Sequence, residues 1–114
     1  MSLTVEWTRG RGRLVVSVSG EVDAGSSPRL QEGIAAAHAA DEPPSPTLVL
    51  DLDRVEFLDS AGLAVLVETA SDCHKAGQEL RLVATGRAVL NPLKLTGLDQ
   101  IFTVLDAVPA APAN

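Results

Sequence analysis

The sequence predicts an α/β domain, with a mixed, mostly parallel central sheet of four to five strands and helices packed on it. Three observations predict it. Strand-like and helix-like segments alternate along most of the chain. The segment TLVLDL (47–52) is apolar except for Thr47 and Asp51, the pattern of a strand covered on both faces, as central parallel strands are. The segments that join the later strands carry apolar residues at helical spacing, which suits right-handed crossovers.

The first two strands are LTVEW (3–7) and RLVVSVSG (13–20), which alternate apolar and polar residues and are joined into a hairpin by a Gly/Arg turn. SSPRLQEGIAAAHAA (26–40) is the first helix, with Ser27 as N-cap and Pro28 at the first helical position. Its narrow inner stripe is Leu30, Gly33, Ile34 and Ala37. DEPPSP ends it and forms an exposed linker. After TLVLDL, a second helix runs from Ser60 to Lys75 with Leu63, Leu66, Val67 and Ala70 inward, closed by Gly77. ELRLVA (79–84) is the next strand. GRAVLNPLKLTG (86–97) is helical, but Pro92 predicts a kink or two short pieces, with Asn91 restarting the helix as a cap. IFTVLD (101–106) is the last strand, which sets a domain over residues 1–106. The Pro/Ala-rich tail AVPAAPAN (107–114) is expected to be flexible.

At 114 residues the chain can bury an independent core, and with only Trp7, Phe57 and Phe102 as aromatics that core must be aliphatic. The net charge of −6 argues against nucleic acid as a partner, because phosphate backbones select basic faces. The basic cluster TRGRGR, with Arg9, Arg11 and Arg13, reads as a solvated turn. Cys73 is the lone cysteine, so no intrachain disulfide forms, and with His74 it falls short of the three or four ligands a metal site needs. No apolar run is long enough for membrane insertion and no leader opens the chain, so a cytoplasmic location is expected.

VEFLDSAGLAVLV (55–67) places Ser60 where an apolar strand gives way to a helix, at the carboxyl edge where α/β sheets carry their sites. A nucleophile elbow would need glycine two residues to either side, and Leu58 takes one of those places. Neither His38 nor His74 falls near the strand ends to act as base. LVLDLDRV resembles the D-x-D signature of haloacid-dehalogenase phosphatases, with Asp51 as nucleophile and Asp53 as acid, but Lys75 and Lys94, the only lysines, end no strand. Asp59 or Ser60 also suits a helix N-cap. A phosphoacceptor fits as well: a helix N-terminus tolerates the anion, Gly62 leaves room beside it, and about −1.5 to −2 of charge would land beside Asp53, Glu56 and Asp59.

LVLDLDRVEFLDSAGLAVLV resembles the signature of the STAS domain, specifically of the bacterial anti-sigma factor antagonists. GEVD (20–23) and LKLTGLDQIFTVL (93–105) resemble two further segments of that family in the same order, so the resemblance spans about residues 3–106. It implies a single STAS-like domain that is not an enzyme and holds no cofactor or metal. It implies a partner-switching regulator that binds an anti-sigma factor with serine kinase activity, releases it once Ser60 is phosphorylated, and is restored by a PP2C-type phosphatase. It implies a partner-binding edge made of Asp23, Phe57, Leu58, Asp59, Ser60, Ala61, Gly62 and Leu63. Ala61 stands where many members have a second serine, and AVPAAPAN stands where the family usually has a C-terminal helix. A second setting for the same fold is an accessory subunit of a lipid or anion transport complex.

Overall fold

Five strands and three helices make up the computed structural model, which describes residues 2–110. The sheet runs β1-β2-β3-β4-β5 in sequence order. β1 (Leu3–Gly10) and β2 (Arg13–Val22) form an antiparallel hairpin closed at the Gly10–Arg13 pair, and Gly12 at φ 76° takes the left-handed conformation that turn needs. β3 (Thr47–Leu58), β4 (Glu79–Val83) and β5 (Val104–Leu105) then add in parallel. The helices α1 (Ser27–Ala40), α2 (Ser60–Ala76) and α3 (Arg87–Thr96) supply the crossovers. This is the mixed, mostly parallel sheet that the segment order predicts.

All three helices contribute to one core. Leu14, Val16 and Val18 of β2, Leu48, Leu50 and Leu52 of β3, and Leu82 of β4 meet Leu30, Ile34 and Ala37 of α1, Leu63, Val65 and Leu66 of α2, and Val89 and Leu93 of α3. The apolar run of β3 is explained by burial on both faces, since Leu48, Val49 and Leu50 are all fully buried. Val49 and Val83 lie outside the helix-side core. On that far side a cavity of about 250 Å³ is lined by Val49, Arg13, Arg81, Pro109 and Ala110, and Arg13 donates to the Pro109 carbonyl. The first residues of the tail therefore lie back over the sheet, in irregular conformation. Residues 111–114 of the tail lie outside the described residues.

Several boundaries differ from the sequence expectation. Ser26, not Ser27, is the N-cap of α1, and its side chain makes no cap bond because its hydroxyl is engaged with Glu21 and Asp23. In α2, Leu63 and Leu66 are buried and Ala70 packs against the core as the spacing predicts, but Val67 is 46% exposed and Val65 is buried instead. β3 continues six residues past Leu52, because β2 stays beside it as far as the Val22–Leu58 pair. α3 is one helix with Pro92 inside it, not two pieces. A proline there removes one helical hydrogen bond, and burial of Val89 and Leu93 offsets the loss. The last strand shrinks to two residues, since Leu98–Gln100 form a 3₁₀ turn and Ile101 is exposed.

The basic turn is not merely solvated. Arg9 Nε lies 2.9 Å from the Asp41 carboxylate, and its two terminal nitrogens donate to the carbonyls of Glu42 and Pro43. Asp41 is buried and also accepts from the backbone N–H and hydroxyl of Ser45. Arg9 thus clasps the linker between α1 and β3 to the hairpin.

Candidate functional site

The site begins with two parallel strands that end together. Val22 of β2 pairs with Leu58 of β3, and the Val22 carbonyl accepts the Asp59 N–H at 3.1 Å. The loops that follow β2 and β3 are therefore neighbours at the carboxyl edge of the sheet, and they carry Asp23 and Asp59-Ser60 respectively.

Asp59 caps α2. Its Oδ1 accepts the N–H groups of Ala61 and Gly62 at 2.9 and 3.3 Å, and its carbonyl accepts the Leu63 N–H at 3.0 Å. The sequence left the cap open between Asp59 and Ser60, and the structure gives it to Asp59. Ser60 is the first helical residue, exposed, and its hydroxyl forms no hydrogen bond within the described chain. The N–H groups of Ala61, Gly62 and Leu63 are thus satisfied without help from the Ser60 side chain, which leaves that hydroxyl available to solvent or to another molecule.

Asp23 is tied into the neighbouring loop. Its Oδ1 accepts the N–H groups of Gly25 and Ser26 at 2.9 and 3.0 Å, and its backbone N–H donates to the Ser26 hydroxyl, which donates in turn to the Glu21 carbonyl. This turn sets the angle at which α1 leaves the site. Beside it, Glu21, Asp23, Ser26 and Arg29 line a cavity of about 310 Å³. Ser26 and Val22 are the organising residues that sequence reasoning missed. The D-x-x-S spacing of 23–26 was the available signal for the first.

The eight predicted edge residues separate into two layers. Asp23, Phe57, Asp59, Ser60 and Ala61 are exposed or half-buried, with Phe57 at 47% exposure. Leu58, Gly62 and Leu63 are buried beneath them. Gly62 does not leave room for an outside group. A Cβ there would lie 2.3 Å from Leu58 Cδ1 and 2.8 Å from Val22 Cγ1, so its bareness lets α2 sit down on β2 and β3.

The alternative chemistries lack their parts in one place. His74 lies in the last turn of α2, about 20 Å along the helix from Ser60. His38 lies near the end of α1, where its Nε2 is 3.0 Å from Gln78 Oε1. Asp53 Oδ1 is engaged by both the N–H and the hydroxyl of Thr85, at 2.9 and 2.7 Å, and Asp51 accepts the Asp53 N–H. Among the described residues no three His, Cys, Asp or Glu side chains group closely enough to hold a metal ion, and no helix is long and apolar enough to cross a membrane.

The chain matches proteins of known kind over nearly its whole length. The STAS domain family model matches residues 4–111. The anti-sigma-F factor antagonist RsfB of Mycobacterium tuberculosis is 37% identical over 109 residues, covering 94% of this chain and 84% of that protein. The crystal structure of an anti-sigma factor antagonist from Mycobacterium paratuberculosis superposes with a TM-score of 0.84 at 39% identity, covering 94% of this chain and 88% of that one. SpoIIAA, an anti-sigma factor antagonist solved in its unphosphorylated form, shares the fold at a TM-score of 0.71 and 18% identity, covering 94% of this chain and 89% of that one. With the helix-capped, serine-bearing edge described above, these matches lead to one assignment: the chain belongs to the STAS domain family and, within it, to the anti-sigma factor antagonists.

Proposed function

We propose that this chain binds a cognate anti-sigma factor with serine kinase activity when unmodified and releases it when Ser60 carries a phosphate. A PP2C-type phosphatase restores the binding form, and the exchange takes place in the cytoplasm. The chain is the regulated binding module in this scheme, and the transfer chemistry belongs to its partners.

One observation carries the reading: Ser60 is exposed and unbonded on a helix turn whose other N–H groups are already satisfied. A phosphate there breaks no internal contact, so the fold has no reason to change. Asp59 already occupies the N–H groups of Ala61 and Gly62, so of the first-turn amides only that of Ser60 itself is left to a phosphate there. It adds about −1.5 to −2 of charge beside Asp59 and near Asp23. Asp23, Phe57, Asp59, Ser60 and Ala61 form the docking surface, and Leu58, Gly62 and Leu63 hold it in place from below. The added charge opposes docking by repulsion and by the cost of desolvation. The identities of the relatives favour this reading over an accessory transport subunit.

The test is phosphorylation by the candidate kinase with ATP, mapped by mass spectrometry, together with calorimetric binding of the Ser60→Ala and Ser60→Asp variants. A single phosphate on Ser60 is expected, with the Ala variant binding as the parent does and the Asp variant at least ~10-fold weaker. A phosphate on another residue, or equal binding by the two variants, would sink the proposal.

A further inference from the structure

The two edges of the sheet are protected very differently. β5 is two residues long, and Pro109 follows soon after it. β1 is eight residues long and has no proline, no lysine and no break in its register with β2, from Leu3–Gly20 to Gly10–Arg13. Among the described residues its outer side pairs with no other strand. Natural edge strands of this length are normally blunted by bulges, prolines or lysines, because their free N–H and C=O groups are a template for another strand. β1 instead presents strand-forming residues, with Val5 and the chain's single tryptophan, Trp7, which is 39% exposed.

We propose that β1 pairs with β1 of a second copy of this chain, antiparallel about a two-fold axis at Trp7, to make a continuous ten-stranded sheet. A two-fold axis perpendicular to the sheet is the operation that joins one edge to itself, and it keeps the helices of both copies on the same face. Pairing also fixes the register. Directly opposed residues must share a face, so a pairing centred on Glu6 sets Glu6 against Glu6 of the other copy, a like-charge contact that destabilises. Centring on Trp7 sets Trp7 against Trp7, Glu6 against Thr8 and Val5 against Arg9, with no like charges opposed and with the strand used nearly end to end. Although the whole chain carries −6, β1 carries one Glu and one Arg, so the seam itself is neutral.

The helix above the edge is built to allow this approach. α1 lies against β1 so closely that a Cβ on Gly33 would be 2.6 Å from Val5 Cγ1. The flank of α1 that runs through Gly33 continues to Ala36 and Ala40, both exposed. Two α1 helices brought side by side across the axis would meet through these small residues, which suits helix axes about 8–10 Å apart. The Ser60 edges would point to opposite ends of the joined sheet, so each copy would keep its own site.

Sedimentation equilibrium of the intact chain over about 1–200 μM is the first test, in the affinity range expected of such an interface. A dimer is expected, and the Trp7→Lys variant should sediment as a monomer with the parent's circular dichroism spectrum. Because Cys73 is buried, cysteine variants on β1 report the register directly. The Trp7→Cys variant should oxidise to a covalent dimer and the Glu6→Cys variant should not. A monomeric parent at every concentration, a dimer that survives Trp7→Lys, or equal cross-linking through both positions would each overturn the proposal.

Discussion

Gly62→Ala tests whether the seat of α2 is as tight as its geometry indicates. The added Cβ would lie 2.3 Å from Leu58 Cδ1, 2.8 Å from Val22 Cγ1 and 3.3 Å from Val22 Cβ. Carbon atoms rest about 3.5–4.0 Å apart, so the neighbours must yield by about 1 Å. The Leu58 methyl can swing, but Val22 is fully buried and stiff about χ1, so part of the strain passes to the backbone of α2. Overpacking of this kind costs about 1–3 kcal/mol, and the better helix propensity of alanine returns up to about 1 kcal/mol. The net expectation is a loss of about 1–2 kcal/mol in urea denaturation, with the midpoint lowered and the slope unchanged. Combining it with Val22→Ala should return part of the loss as a coupling energy, because that change removes the atom 2.8 Å away. A Gly62→Ala protein as stable as its parent would refute the reasoning and reopen the view that Gly62 faces outward to a partner.

Two further expectations concern the opposite end of the sheet. Burial, and next the negative charge of Asp72, push the Cys73 thiol from 9.0 up to about 11. The folded chain therefore keeps its proton where the unfolded chain loses it, so this group's contribution is intact below pH 9 and is lost as pH rises from 9 toward 11. Iodoacetamide at pH 8 should accordingly leave the native chain unmodified and label it in urea, and rapid native labelling would contradict the burial. Arg9→Ala removes the partner of a buried carboxylate and two donors to the Glu42 and Pro43 carbonyls. Since Arg9 is itself 38% exposed, the expected loss is about 1–3 kcal/mol by denaturation, and Arg9→Lys should recover little of it because one ammonium cannot reproduce the guanidinium's three contacts. A loss below about 0.5 kcal/mol would return Arg9 to the status of a solvated turn residue.

The order of elements was legible because apolar runs and glycine punctuation are local signals. The unbroken run Leu48–Leu50 could belong only to a strand covered on both faces, and Gly77 could only close a helix in the left-handed conformation it adopts, at φ 70°. What failed was decided at a distance. Pro92 argued for a break, but a local penalty of about 3 kcal/mol is outweighed when Val89 and Leu93 on either side of it enter the core. Ile101 and Thr103 alternate with Phe102 as a strand would, yet only Val104 and Leu105 find a partner in β4. The basic turn looked solvated because its counter-charge, Asp41, lies 32 residues further along the chain.

At the site, spacing located the edge but could not assign depth. Phe57 and Leu58 are adjacent and both apolar, yet one is 47% exposed and the other 5%: neighbouring strand residues point to opposite faces, and the register shift against β2 at Gly20–Glu21 sets which of the two goes inward. In α2 the first turn reads Ser-Ala-Gly-Leu, and nothing in those four letters says which side of the turn meets Val22. Packing decides it: Leu63, Val65 and Leu66 enter the core and Gly62 seats against Leu58 and Val22, which leaves Ser60 on the outside of the first turn. The aspartate before the serine has a physical role that precedes any partner. It holds the amides of Ala61 and Gly62, so Asp59→Ala should loosen α2 by about 1 kcal/mol and, under the proposed function, free those amides for a phosphate on Ser60. If phosphorylated Ser60 in that variant opposed binding as strongly as in the parent, charge alone would act at this edge. Partial recovery of binding would show that the aspartate keeps the phosphate facing the partner.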